Sequence, residues 1–138
     1  EIAAISKQWG ANVPFLRPTE LAQDDTLDLP VFQHALRWLR ENENFAPEIV
    51  VQLRPTSPFR RVIHIEESIR LLRATPDATA VRAVCVPSQN PYKMYSLNEA
   101  GFLAPLVPGF GLEPLPRQSL PTALWHNGYI DTMRSRVI

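Results

Sequence analysis

Arg54, Thr56 and Ser57 stand in the segment Gln52-Leu53-Arg54-Pro55-Thr56-Ser57-Pro58-Phe59-Arg60, where two prolines stiffen the backbone around a guanidinium and two hydroxyls. Donors fixed before a ligand arrives lose little freedom on binding it, so the pattern suits recognition of an anionic small molecule. A plainer reading also fits: a Pro-rich turn whose Ser and Thr cap the next helix. Lys93, in Asn90-Pro91-Tyr92-Lys93-Met94, could neutralise a carboxylate or phosphate. A lysine on an edge strand also discourages aggregation. Arg117, in Pro116-Arg117-Gln118, offers a fork of donors that can hold a carboxylate through two hydrogen bonds, with Gln118 beside it.

Two further segments carry polar groups. In Trp125-His126-Asn127-Gly128-Tyr129-Ile130-Asp131, Asn127-Gly128 is a turn signal that brings backbone amides close to their surroundings. Asp131 alternates with Tyr129 on a predicted strand, which would place both on one side, while Trp125 reads as a packing residue. Arg17 precedes Pro18 between extended and looped chain, where it could reach a base or phosphate; Asp24, Asp25 and Thr26 follow in a polar loop. Adjacent carboxylates point to different sides, so capping or loop hydrogen bonding explains Asp24 and Asp25 better than a metal does. His34, His64 and His126 are scattered, and the first two fall in predicted helices where packing is the expected role.

The elements that would position these groups follow from periodicity. Ile2, Ile5 and Trp9 share a helical face, with Gly10 as a C-terminal cap. That helix shows no N-cap, and the chain has no initiator Met, which leads to the expectation that sequence upstream is missing. Val13 to Pro18 reads as extended. Asp28 and Pro30 fit the start of a second amphipathic helix through Asn44. Ile49 to Leu53 is short, apolar and β-branched, a buried strand. A helix over 63–74 and a strand over 79–86 complete a strand–helix–strand unit, which argues for a parallel sheet covered by helices. Beyond Pro87 prolines become dense, and Tyr92 to Leu97 and Phe102 to Leu106 read as antiparallel strands or extended arms. Gly128 to Met133 reads as a last strand rejoining the sheet.

Composition narrows the partners. The 138 residues carry a formal net charge of zero, so no bulk field draws the chain to nucleic acid or to an anionic membrane. Twelve of the fourteen cations are Arg, which favours planar anions over point-charge contacts. Cys85 is the only cysteine and sits in an apolar run, excluding an internal disulfide. No stretch approaches the roughly 20 apolar residues of a membrane span, and a cytoplasmic location is expected.

Taken in order, PFLRPTELAQDDT, VVQLRPTSPFR with HIEESIRLL, NPYKM, PRQSLP and NGYID resemble the acylneuraminate cytidylyltransferase (CMP-sialic acid synthetase) family across nearly the whole chain. The resemblance implies a Rossmann-like three-layer α/β sandwich with a mostly parallel sheet, truncated here to one domain over 1–138. It also implies a dimerisation and sugar-binding arm over 88–126, hence a homodimer or higher homo-oligomer. Members of the family transfer CMP from CTP to the anomeric hydroxyl of a nine-carbon acidic sugar, with Mg2+, releasing pyrophosphate. By motif, Arg17 would contact the cytosine or its ribose, with Asp24 and Thr26 beside the nucleotide. Arg54, Thr56 and Ser57 would lie near the sugar, Lys93 and Arg117 would face its acid group, and Gln118, Asn127 and Asp131 would line the same pocket. Asp131 stands where some relatives have Tyr, and Trp125 where some have Arg.

Two family segments have no counterpart: a G-S-K-type loop that cradles the triphosphate, and a D-x-D pair that holds Mg2+. Charge neutralisation of that kind supplies most of the catalysis in nucleotidyl transfer. No catalytic residue or metal ligand is therefore assigned, and this chain alone is expected to transfer little or no CMP. The alternative is a non-catalytic binding or oligomerisation module derived from the same fold.

Overall fold

The computed structural model describes residues 1–111 and 115–138, and these group into two compact units. One comprises residues 1–50 with 134–138, the other residues 51–133.

In the first unit, helix α1 (Ile2–Gln8) ends as its sequence predicts. Gly10 adopts φ +82°, the Gly10 N–H donates to the Lys7 carbonyl, and the Ala11 N–H donates to the Ser6 carbonyl. This paired closure of the last turn needs a left-handed residue, which glycine supplies without a Cβ clash. Helix α2 (Asp28–Glu43) begins one residue earlier than a cap at Asp28 would give: Leu27 is the N-cap and Asp28 occupies the first turn, where the positive helix end favours its carboxylate. Asn44 ends the helix in the left-handed region, with the Phe45 N–H donating to Leu39. The apolar side of α2 is covered by Phe15, whose ring lies 5.0 Å from Trp38 and 5.1 Å from His34, so His34 packs as expected. The C-terminal residues join this unit through Ser135 N–H to the Glu48 carbonyl (2.9 Å) and Gln33 to the Ile138 carbonyl (2.7 Å).

In the second unit, helix α3 (Val62–Ala74) is followed by strand β2 (Ala80–Cys85) and a hairpin of β3 (Tyr95–Leu97) with β4 (Leu103–Pro105). The hairpin pairs antiparallel, Ser96 opposite Ala104, and Asn98 closes its turn by accepting from the Ala100 and Phe102 N–H groups. It falls inside the predicted 88–126 arm, of which residues 112–114 lie outside the described residues. Strand β5 (Trp125–Arg134) starts earlier and ends later than the predicted 128–133.

The sheet departs from expectation. Its order is β1 (Ile49–Gln52), β5, β2, and β2 meets β5 antiparallel. The chain is α/β, but the mostly parallel sheet inferred from the strand–helix–strand unit does not appear in the described pairings. That unit constrains how α3 returns the chain to the sheet. It does not require β1 and β2 to be neighbours, and β5 takes the place between them.

The core of the second unit lies where α3 covers β5. Leu72 is 0% exposed, Ile130 3% and Thr132 0%. Ser68 Oγ donates to the Ile65 carbonyl and lies 2.7 Å from Thr132 Oγ1. A hydroxyl has one proton, so Thr132 must be the donor between the two. Ser68→Ala would leave the Thr132 hydroxyl buried without an acceptor and should cost about 1–3 kcal/mol. Thr132→Val leaves Ser68 bonded to Ile65 and should cost less, with the double variant near the milder single one. Urea denaturation of the three variants measures this order; Ser68→Ala proving the gentler change would refute the assigned donor.

Candidate functional site

Antiparallel pairing brings the start of β5 to the carboxyl end of β2, with Trp125 opposite Cys85 and His126 opposite Val84. In open α/β sheets this is the end at which ligands bind. Arg54 comes two residues after β1 ends at Gln52. A Cβ placed on Gly128 would sit 3.2 Å from Arg54 Cδ and 3.5 Å from its Nε. Gly128 has φ +65°. The positive φ favours glycine here, and the Arg54 side chain lies close over the position, where a Cβ would make it shift by a few tenths of an ångström.

The turn between β1 and α3 is held by β5. Arg60 donates from Nε to the Tyr129 carbonyl (2.5 Å) and from its terminal nitrogen to the Arg54 carbonyl, while its guanidinium carbon lies 5.8 Å from the centre of the Tyr129 ring. The Tyr129 hydroxyl accepts from the Arg61 N–H at 3.0 Å and lies 3.0 Å from His64 Nδ1. Both hydroxyl and guanidinium therefore tie residues 54–61 to β5. This explains how a Pro-rich turn without regular structure is fixed: two prolines narrow its conformations and two side chains anchor it.

Beside the tie lies a cavity of about 600 Å³ lined by His64, Ser68, Val84, Asn127, Tyr129 and Ile130, among others. Asn127 borders it and also accepts from the Tyr129 N–H at 3.0 Å, an Asx turn that shapes the backbone around Gly128. Asp131 does not share a side with Tyr129. Ile130 lines the cavity and Thr132 bonds Ser68 on α3, so Asp131 between them faces the other side of the sheet. There it is 5% exposed, with Oδ1 2.8 Å from His126 Nε2.

The structure thus gathers Arg54 and Asn127 about Gly128. Thr56 and Ser57 follow on the same anchored turn, with Ser57 N–H donating to the Arg54 carbonyl at 3.2 Å. Lys93 and Arg117 are exposed, each in its own short 3-10 turn at Pro91–Lys93 and Arg117–Ser119, as is Gln118. None of the three lines the cavity. Arg17, Asp24 and Thr26 belong to the first unit. There Arg17 donates to the Leu21 carbonyl at 3.3 Å, and Thr26 Oγ1 accepts from the Gln23 N–H at 3.1 Å, so these residues shape their own loop. Sequence reasoning gave no site role to Arg60, His64 or His126.

Among the described residues no three His, Cys, Asp or Glu side chains gather to hold a metal ion. Among the same residues no helix is long and apolar enough to cross a membrane.

The elements and the gathered polar side chains define an α/β chain with a candidate ligand edge at the carboxyl end of β2. Over 71 residues it is 39% identical to the N-acylneuraminate cytidylyltransferase of Escherichia coli O18:K1:H7 (strain RS218 / NMEC), a stretch that covers 51% of this chain. The same stretch spans 16% of that protein's length. No protein-family model matches the chain. The similarity supports a relation to the cytidylyltransferases.

Proposed function

We propose that this chain is part of a cytidylyltransferase that activates a nine-carbon acidic sugar, and that the edge formed by Arg54, Asn127 and Gly128 belongs to its sugar-facing wall. The observation that carries this reading is the 39% identity over 71 residues to an N-acylneuraminate cytidylyltransferase. It is supported by the anchored turn, which follows β1 and sets the Arg54 side chain over Gly128, beside Asn127 on β5. In this reading Arg54 pairs with the sugar carboxylate, Thr56 and Ser57 meet its hydroxyls, and Asn127 bonds its polar substituents. Lys93, Arg117 and Gln118 approach from the arm, Asp131 backs the wall from behind, and Arg17 with the Asp24–Thr26 loop serves the nucleotide. The three strands form part of a larger Rossmann-like sheet, and the arm over 88–126 joins two copies.

Binding is the property this chain can be tested for. Titration calorimetry with N-acetylneuraminic acid should show saturable binding, absent with a neutral hexose. Arg54→Ala should weaken it by about tenfold or more, the value of a charge-assisted carboxylate contact. Equal affinity of the Arg54→Ala variant and the parent chain contradicts the assignment.

A non-catalytic assembly module is the second reading, favoured by the exposed apolar side chains Leu97, Phe102 and Leu103 on the arm hairpin.

A further inference from the structure

Four residues of β5, Asn127 to Ile130, stand opposite Ala83 alone, because Arg82 pairs with Asp131 and Val84 with His126. A bulge of this size gives up ladder hydrogen bonds, and the strand keeps its course only if the neck is held. His126 and Asp131 are the two residues that flank it. In a regular strand, side chains five positions apart face opposite sides. Here the bulge turns both to one side, and His126 Nε2 meets Asp131 Oδ1 at 2.8 Å.

The chemistry makes this contact more than incidental. Asp131 is 5% exposed, and a buried carboxylate without a donor is costly. An ionised carboxylate only accepts, so the histidine must carry its proton on Nε2. The bond crosses the neck from His126 to Asp131, and what it encloses is the Asn127-Gly128-Tyr129 segment. That segment borders the cavity through Asn127, touches Arg54 through Gly128 and ties the 54–61 turn through Tyr129.

We infer that His126 and Asp131 form a side-chain clasp across the neck of the β5 bulge, acting as positioning residues that hold Asn127 and Gly128 against Arg54. Its effect on binding of an acidic sugar rests on the function proposed above; the clasp itself does not.

Amide hydrogen exchange on the 138-residue chain reads the clasp without any ligand. His126→Ala should speed exchange at Tyr129, whose N–H is bonded to Asn127 inside the bulge, by about tenfold or more. His126→Gln places an amide donor where Nε2 stood and should restore most of the protection. Nitrogen NMR of the parent chain should show the His126 proton on Nε2, a readout that stands even if His126→Ala does not fold. Unchanged Tyr129 exchange in a folded His126→Ala chain, or an Nε2 without a proton in the parent, overturns the inference. N-acetylneuraminic acid added to the same samples separates the two proposals. If the parent chain ignores the sugar while exchange responds as stated, the functional reading fails and the clasp survives. If the sugar binds equally to parent and His126→Ala chains, the clasp has no positioning role.

Discussion

Leu72→Ala should remove about 2–5 kcal/mol of stability, the cost of lost burial plus the cavity left behind. Leu72 is 0% exposed on α3 and, among the described residues, shares the buried apolar core with Ile130. A domain of this size holds only about 5–15 kcal/mol in total, so the variant should be largely unfolded at moderate urea concentrations. Its neighbour Leu71 is exposed on the same helix, and Leu71→Ala should stay within about 0.5 kcal/mol of the parent chain. Urea unfolding followed by circular dichroism compares the two. Equal midpoints for Leu72→Ala and Leu71→Ala would show that the α3–β5 contact is not the core.

Arg60→Ala should be the second large change, at about 2–3 kcal/mol. Its guanidinium serves two carbonyls, those of Tyr129 and Arg54, and lies over the Tyr129 ring. Removing it takes a donor from each carbonyl, leaving that of Arg54 with the Ser57 N–H, and frees the 54–61 turn from one of its anchors. Lys has a single compact charge and cannot reproduce a planar fork spanning two acceptors. Arg60→Lys should therefore recover little of the loss. The unfolding midpoint measures stability, and proteolysis after Arg61 reports the loosened turn. A lysine variant as stable as the parent, with the turn still protected, contradicts the bridging role.

Local structure was legible where one residue type decides one geometry. Gly10 fixes the end of α1 because only glycine enters the left-handed region cheaply, and the apolar stripe of α3 appears from periodicity alone. Adjacency of strands was not legible. Nothing in Ile49–Gln52 or Ala80–Cys85 says that a strand beginning at Trp125 will lie between them. Asn127-Gly128 announces a positive φ, and the turn it predicts exists, but inside β5 as a bulge instead of at the strand's start. The same displacement explains why the pairing of His126 with Asp131 was missed. The two are five apart, a spacing that a period-two reading sends to opposite faces. The Tyr129–Asp131 alternation failed for the same reason, since Tyr129 lies within the bulge. Arg54 and the turn after β1 were legible because prolines and donors at a strand's carboxyl end carry their own physical meaning.

Chemical-shift mapping of the labelled chain during titration with N-acetylneuraminic acid tests the sugar-facing wall most directly. The predicted result is saturable movement of the Gly128 and Tyr129 amides, the Asn127 side-chain amide and the Arg54 Nε–H, absent with a neutral hexose. Saturable shifts that leave all four in place and gather on other residues would contradict it.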